Sequence, residues 1–181
     1  MPDWLSREQE SWIATRLGLE RSSPAFQAAL QQAWERISAA TGLILGTSIV
    51  DQAYADVHAP TLAISIPMDA TAVELVTPEV EGELMIEDGL LYRVVDGRRE
   101  PWPEGFYTFR VTRGLSEAPP EVLDALTLMT QLILQPPDPD KSRLDNPGFG
   151  AGGGTRASLT GVPEVDQLLG RWLSRPYGEA L

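Results

Sequence analysis

The sequence predicts an α+β fold in which a small bundle of about four helices carries an antiparallel β insert and ends in a flexible C-terminal arm. Apolar residues recur at helical spacing before residue 43 and again after the Pro-Pro break at residues 119–120. Between these parts, residues 43–113 alternate between apolar and polar side chains in short runs, as strands do. We therefore expect one globular domain over residues 1–136 and an arm over residues 137–181.

The N-terminal part is expected to form two helices. The first is predicted over residues 5–17, where Ser6 is a suitable N-cap and Gln9 follows at the spacing of a capping box. The second is predicted over residues 23–41, with Gly42 as the residue that ends it. The short connection between them favours an antiparallel pair.

The β insert is predicted to contain about four to six short strands, because the apolar period changes to two after residue 43. Asp88-Gly89 stands between two apolar runs and predicts a hairpin. No helix-sized crossover separates the runs, so the pairing is expected to be antiparallel. The alternating segments are residues 47–50, 61–67, 71–76, 83–87, 90–95 and 106–112.

The most apolar helix is predicted over residues 120–134, and its wide apolar face indicates the central helix of the core. Residues 137–161 are rich in Asp, Pro and Gly, which predicts a flexible segment. A last short helix is predicted over residues 163–173. Its apolar face consists of Val165, Leu168, Leu169 and Trp172.

Trp102 lies between two prolines in a predicted turn. A tryptophan that is partly exposed in a turn can anchor a protein interface, so Trp102 is a candidate contact residue. The alternative is that its indole folds over the edge of the sheet and forms part of the core.

The chain is acidic, with a formal net charge of −12. Residues 43–118 contribute most of it, since they hold 13 acidic and 5 basic residues. Sequence-specific nucleic-acid binding needs a basic surface, and this composition does not predict one. No secretory signal and no membrane-spanning run are recognisable, so we expect a soluble protein made in a cytoplasm.

No catalytic or metal site is predicted from the residue patterns. His58 is the only histidine, and the chain has no cysteine. The glycine-rich segment at 148–154 lacks the Lys-Ser/Thr pair of a phosphate-binding loop. Asp138, Asp140 and Ser142 have the first three spacings of a calcium loop, but Arg143 stands where that loop needs glycine. We therefore expect no enzyme activity and no cofactor.

Several short motifs follow one another along the chain. They are Thr41-Gly42, Leu91-Tyr92-Arg93, Trp102-Pro103-Glu104-Gly105, Arg113-Gly114, Pro119-Pro120-Glu121-Val122, and the segment from Thr160 to Leu169. Their order resembles that in the head–tail adaptor proteins of long-tailed bacteriophages, also called connector or neck proteins, and the resemblance covers most of residues 3–173.

The resemblance implies a virion protein at the head–tail neck that is assembled in the host cytoplasm. It implies a homo-oligomeric ring of about twelve subunits beneath the portal. The expected partners are the portal protein and the next neck or tail-terminator protein, and DNA passes through the lumen without specific binding. The resemblance implies no catalysis, no cofactor and no membrane contact.

Two pairs of alternatives stay open. Residues 137–181 either dock on a neighbour or the portal, with Val165, Leu168, Leu169 and Trp172 as anchors, or the last helix packs on its own subunit. The protein as a whole is either a head–tail adaptor or a protein-interaction module or assembly factor outside the virion.

Overall fold

Four helices and seven strands lie in residues 4–135 and 159–172, which are the residues that the computed structural model describes. The helices are α1 (Arg7–Leu17), α2 (Pro24–Thr41), α3 (Pro120–Leu134) and α4 (Pro163–Leu168). The strands are β1 (Ile49–Val57), β2 (Ala63–Ser65), β3 (Ala70–Thr77), β4 (Glu83–Glu87), β5 (Leu90–Val95), β6 (Arg98–Glu100) and β7 (Gly105–Arg113). Most of the predicted arm, from residue 137 to 158 and from 173 onward, lies outside the described residues.

The described residues divide into two compact units. The helical unit contains residues 4–42 and 117–172, and the β unit contains residues 43–116. Over the described residues, the chain therefore leaves the helical unit once, forms the β unit, and returns.

The ends of the first two helices follow local sequence signals. The backbone N–H of Gln9 donates to the Ser6 hydroxyl at 3.2 Å, so Ser6 is the predicted N-cap. The Gln9 side chain donates to the Ala118 carbonyl at 2.9 Å instead of closing the capping box. Gly18 and Gly42 end the helices with φ of 67° and 66°, a conformation that costs glycine little.

Helix α3 is central to the helical unit, because it packs against α1, α2 and α4. Val122, Ala125, Leu126 and Met129 recur on one face and are fully buried, as expected for a core helix. The fully buried apolar residues of the unit are Ile13, Phe26, Leu30, Ala33, Ile37, Val122, Ala125, Leu126, Met129, Val165 and Leu169.

The β unit contains two antiparallel sheets. One has the strand order β1-β7-β3, and the other has the order β2-β5-β4 with β6 also paired to β5. The β1–β7 register is unbroken from Ile49 opposite Arg113 to Val57 opposite Gly105. The β3–β7 register shifts twice, once after Ala70 and once after Leu75.

The hairpin prediction at Asp88-Gly89 is confirmed. Asp88 and Gly89 have φ of 49° and 73°, and Asp96 and Gly97 repeat this geometry with 49° and 74°. Two consecutive residues with positive φ form the type I′ turn, whose twist matches that of the flanking strands. The turns join β4 to β5 and β5 to β6.

The two sheets share one hydrophobic core. Trp102 lies in it with no exposed surface, and its ring meets those of Tyr107 and Phe109 edge-on at centroid distances of 5.2 and 5.7 Å. The other buried members are Ala53, Ala55, Val57, Ile64, Ile66, Leu91 and Val111.

The predicted small helical bundle with a β insert is wrong. The chain is a mixed α+β fold with about 34% helix and about 32% strand. The residues predicted as an insert on a bundle instead form two sheets around their own core, because their inward side chains are numerous enough to bury one another.

Two element bounds also differ from prediction. The strand predicted at residues 47–50 continues as β1 to Val57, and the helix predicted to 173 ends at Leu168.

Within the part of the chain that the structure describes, no helix combines the length and the apolar character needed to cross a membrane.

Candidate functional site

One face of the β1-β7-β3 sheet carries large apolar side chains in contact with solvent. Successive side chains of a strand point to opposite faces, so the residues that alternate with the buried ones form this outer face. Val50, Tyr54 and Phe106 have exposed fractions of 61%, 51% and 58%. We define the outer face by Val50, Gln52, Tyr54, Asp56, Glu74, Phe106 and Arg110.

Tyr54 and Phe106 form the centre of the apolar part of the outer face. Their rings are stacked, with centroids 5.9 Å apart and planes inclined by 24°. The two residues are diagonal neighbours, because Tyr54 lies opposite Thr108 and Phe106 lies opposite Asp56. The stacked pair therefore presents one aromatic surface across two strands.

Charged groups lie beside the aromatic pair. Arg110 Nη1 is 2.7 Å from Glu74 Oε2, and both side chains are more than half exposed. An exposed ion pair of this kind contributes little to folding stability. Asp56 Oδ1 is 3.6 Å from His58 Nδ1, again with both side chains exposed. The outer face thus combines aromatic area with polar groups at its margin.

The sequence of β1 explains why its aromatic residue faces outward. Ala53 and Ala55 point into the core, where the large rings of Tyr107 and Phe109 from β7 fill the space. Tyr54 stands between these two alanines and so points to solvent. The Ala-Tyr-Ala alternation was the signal for this surface, but the sequence-based prediction ended the strand at Val50 and missed it.

Trp102, the candidate contact residue of the turn, is fully buried in the β unit. Its indole Nε1–H donates to the Leu91 carbonyl at 3.2 Å, and its backbone pairs with Thr61 in both directions, at 2.7 and 3.3 Å. A buried indole needs such a hydrogen-bond partner. The core alternative is therefore the observed one, and Trp102 presents no surface to a partner in this conformation.

The predicted anchor residues of the last helix lie in the helical unit, and all but one of them are buried. Val165 and Leu169 are fully buried and Trp172 is 6% exposed, whereas Leu168 is 37% exposed. Next to Trp172, Arg171 Nη2 is 2.9 Å from Glu121 Oε1 on α3. Partner binding through these residues stays a prediction, and packing within the subunit is what the described residues display.

The residues that the structure describes contain no group of three or more His, Cys, Asp or Glu side chains arranged to hold a metal ion. Burial raises the pKa of the Tyr107 phenol above its ordinary value of 10.0, and the nearby Arg93 guanidinium opposes part of this rise. The Tyr107 hydroxyl donates to the Pro103 carbonyl at 2.8 Å, which is a structural contact.

No protein-family model matches the chain, and no curated protein matches it.

Proposed function

We propose that the protein is a structural head–tail adaptor of a long-tailed phage. In this role it forms a ring beneath the portal and joins the DNA-filled head to the neck and tail. The motifs between Thr41 and Leu169 support this proposal by their resemblance to such adaptors. The observation from the structure that carries it is the stacked, half-exposed pair Tyr54 and Phe106 on the outer face.

Exposed aromatic area of this kind is typical of protein–protein contacts. The residues that dominate binding energy at interfaces are enriched in Trp, Tyr and Arg, and the outer face offers Tyr54 and Arg110. Polar groups surround the aromatic pair, as at the rim of an interface. We assign this face to contact with the portal or the adjoining neck protein.

The charge of the chain fits a lumen through which DNA passes. A net charge of −12 repels phosphate and does not retain a nucleic acid by counterion release. The adaptor is proposed to act without a cofactor and without catalysis, as a virion component at the neck.

The test measures binding to the purified portal protein of the same phage, by light scattering and by electron microscopy of the mixture. Phe106→Ser should weaken portal binding by more than about tenfold, because it removes half of the aromatic pair. Leu62→Ser is the matched control, since Leu62 is 49% exposed and belongs to neither the outer face nor its sheet.

Two results would contradict the proposal in different ways. Equal portal binding by Phe106→Ser and Leu62→Ser would show that the outer face is not the contact. If the unaltered protein neither binds a portal nor joins particles, the alternative gains support, namely an interaction module or assembly factor outside the virion.

A further inference from the structure

Strand β1 has one edge that pairs with no other strand among the described residues. It lies at the end of the β1-β7-β3 sheet, and β7 occupies its other edge along all nine residues. An unpaired edge of this length is a template for a strand from another chain.

The backbone groups on the free edge can be assigned from the alternation along β7. The N–H of Gly114 donates toward β3, to the Asp69 carbonyl, whereas Leu115 bonds to Ile44 and Gly46 on the β1 side. The Thr112 carbonyl likewise points toward β3, where it accepts from the Thr71 side-chain hydroxyl at 3.2 Å. Even-numbered residues of β7 therefore face β3 and odd-numbered residues face β1.

This assignment fixes which residues of β1 are unpaired at the edge. The odd-numbered residues, from Ile49 to Val57, lie opposite the odd-numbered residues of β7 and bond to them. The backbone N–H and C=O groups that point outward belong to Val50, Gln52, Tyr54 and Asp56.

Strand β1 lacks several of the features that protect an edge. From Ile49 to Val57 it contains no proline, lysine or arginine, and its charged residues are Asp51, whose side chain contacts Arg113, and Asp56. Its register with β7 contains no bulge, whereas β3, at the opposite end of the sheet, has two register shifts.

We propose that two copies of this chain pair through their β1 strands, antiparallel, with Gln52 of one copy opposite Gln52 of the other. The two three-stranded sheets then become one six-stranded sheet with a two-fold axis at Gln52. In this register Val50 of each copy lies opposite Tyr54 of the other. Two exposed apolar side chains thereby form a cross-strand pair on each side of the axis.

The two neighbouring registers are less favourable because of the side chains that they place opposite each other. Shifting the axis to Asp51 places the two Asp51 carboxylates opposite each other, which is repulsive. Shifting it to Ala53 places Val50 opposite Asp56 and leaves the apolar pair unformed. The Gln52 register is the one of these three that pairs Val50 with Tyr54 and avoids opposed charges.

The proposal concerns the free protein and does not depend on the proposed adaptor function. A two-fold pair is closed, whereas a ring needs head-to-tail contacts between subunits. The test of the pair uses the protein alone, without a portal.

A single introduced cysteine tests the register, because the chain has no cysteine of its own. Directly opposed residues of a hydrogen-bonded pair have Cα atoms about 5.5 Å apart, within the range of a disulfide. Gln52→Cys should therefore form a covalent dimer on mild oxidation of the full chain. Asp56→Cys is the control on the same exposed face, since its two copies would lie about 27 Å apart.

A proline tests the edge itself. The N–H of Gln52 points outward, so Gln52→Pro removes no bond within the sheet and should leave the thermal midpoint nearly unchanged. It removes two hydrogen bonds between the copies and should raise the dimer dissociation constant by roughly tenfold or more. Sedimentation velocity over a concentration series measures this constant, and circular dichroism confirms the fold.

Concentration-dependent dimers that cross-link through Gln52→Cys and weaken with Gln52→Pro would support the pairing. Cross-linking of Asp56→Cys equal to that of Gln52→Cys would overturn the register. A protein that stays monomeric at its highest attainable concentration, or a dimer indifferent to Gln52→Pro, would overturn the proposal.

Discussion

Arg113 binds the buried carboxylate of Asp69 with two parallel hydrogen bonds. The distances are 2.9 Å from Nε to Oδ1 and 3.1 Å from Nη2 to Oδ2. Asp69 is 2% exposed and the Arg113 side chain 13% exposed, so water competes little for either group. Asp69 also accepts from the Ile44 N–H at 3.1 Å, and its carbonyl accepts from the Gly114 N–H at 3.0 Å. Asp69 thus joins the first and last segments of the β unit.

We expect Asp69→Asn to destabilise the protein by about 3 kcal/mol, because Asp51, at 3.5 Å from Arg113 and 42% exposed, replaces only part of the lost countercharge. The loss should appear as a lower urea midpoint with an unchanged slope.

Asp51→Asn is the matched control for this substitution. Asp51 also faces Arg113, but at 3.5 Å and with 42% of its side chain exposed. Its loss should cost at most about 1 kcal/mol. Equal effects of the two substitutions would show that burial of the bidentate pair is not what stabilises this junction.

Trp102→Phe should destabilise the β unit by about 2–4 kcal/mol. The substitution leaves a cavity among the rings of Tyr107 and Phe109 and removes the donor to the Leu91 carbonyl. Chemical denaturation followed by circular dichroism measures the change. Trp12→Phe serves as the control, because Trp12 is 41% exposed and should change stability by no more than about 0.5 kcal/mol.

The sequence predicted those elements whose signals are local. Ser6, Gly42 and the Asp88-Gly89 turn act within a few residues, so the ends of α1 and α2 and the β4–β5 hairpin agree with prediction. Helix α3 begins and ends at the predicted residues, 120 and 134, because Pro120 starts it and a second proline pair follows.

The outer face could not be predicted, because it depends on pairing between distant segments. Tyr54 and Phe106 lie in strands about fifty residues apart, and only the β1–β7 register brings them together. The burial of Trp102 stayed open for the same reason, since its partner Thr61 precedes it by some forty residues. The Asp69–Arg113 pair spans 44 positions and carries no local signal at all.

Tyr107→Phe should show a stability difference that depends on pH. At about pH 8 the variant loses the bond to the Pro103 carbonyl and should be about 1 kcal/mol less stable. Burial raises the pKa of Tyr107 above 10.0, so the folded state keeps its phenolic proton where the unfolded chain releases it. The unsubstituted protein therefore loses the stabilisation that the Tyr107 phenol contributes as the pH rises above 10. The variant has no phenol at this position and shows no such loss.

The difference between native protein and Tyr107→Phe should consequently shrink from about pH 8 to about pH 11. Urea unfolding at the two values measures it. A difference that stays constant or widens over this range would mean that the Tyr107 pKa is not raised in the folded state.

Leu169→Ala and Leu168→Ala compare two neighbouring leucines that differ in burial. Leu169 is fully buried in the helical unit, so its truncation should cost about 2–5 kcal/mol. Leu168 is 37% exposed, and its truncation should change the free energy of unfolding much less, by about 0.5–1 kcal/mol. Thermal and urea unfolding of the two variants, together with binding to the portal, separate the roles proposed for this segment.

If Leu169 stabilises its own subunit, Leu169→Ala lowers the unfolding midpoint of the free protein. If it is instead an anchor for a partner, that midpoint stays unchanged and portal binding falls. A partner contact made by the exposed residue alone would weaken binding through Leu168→Ala while leaving the fold intact.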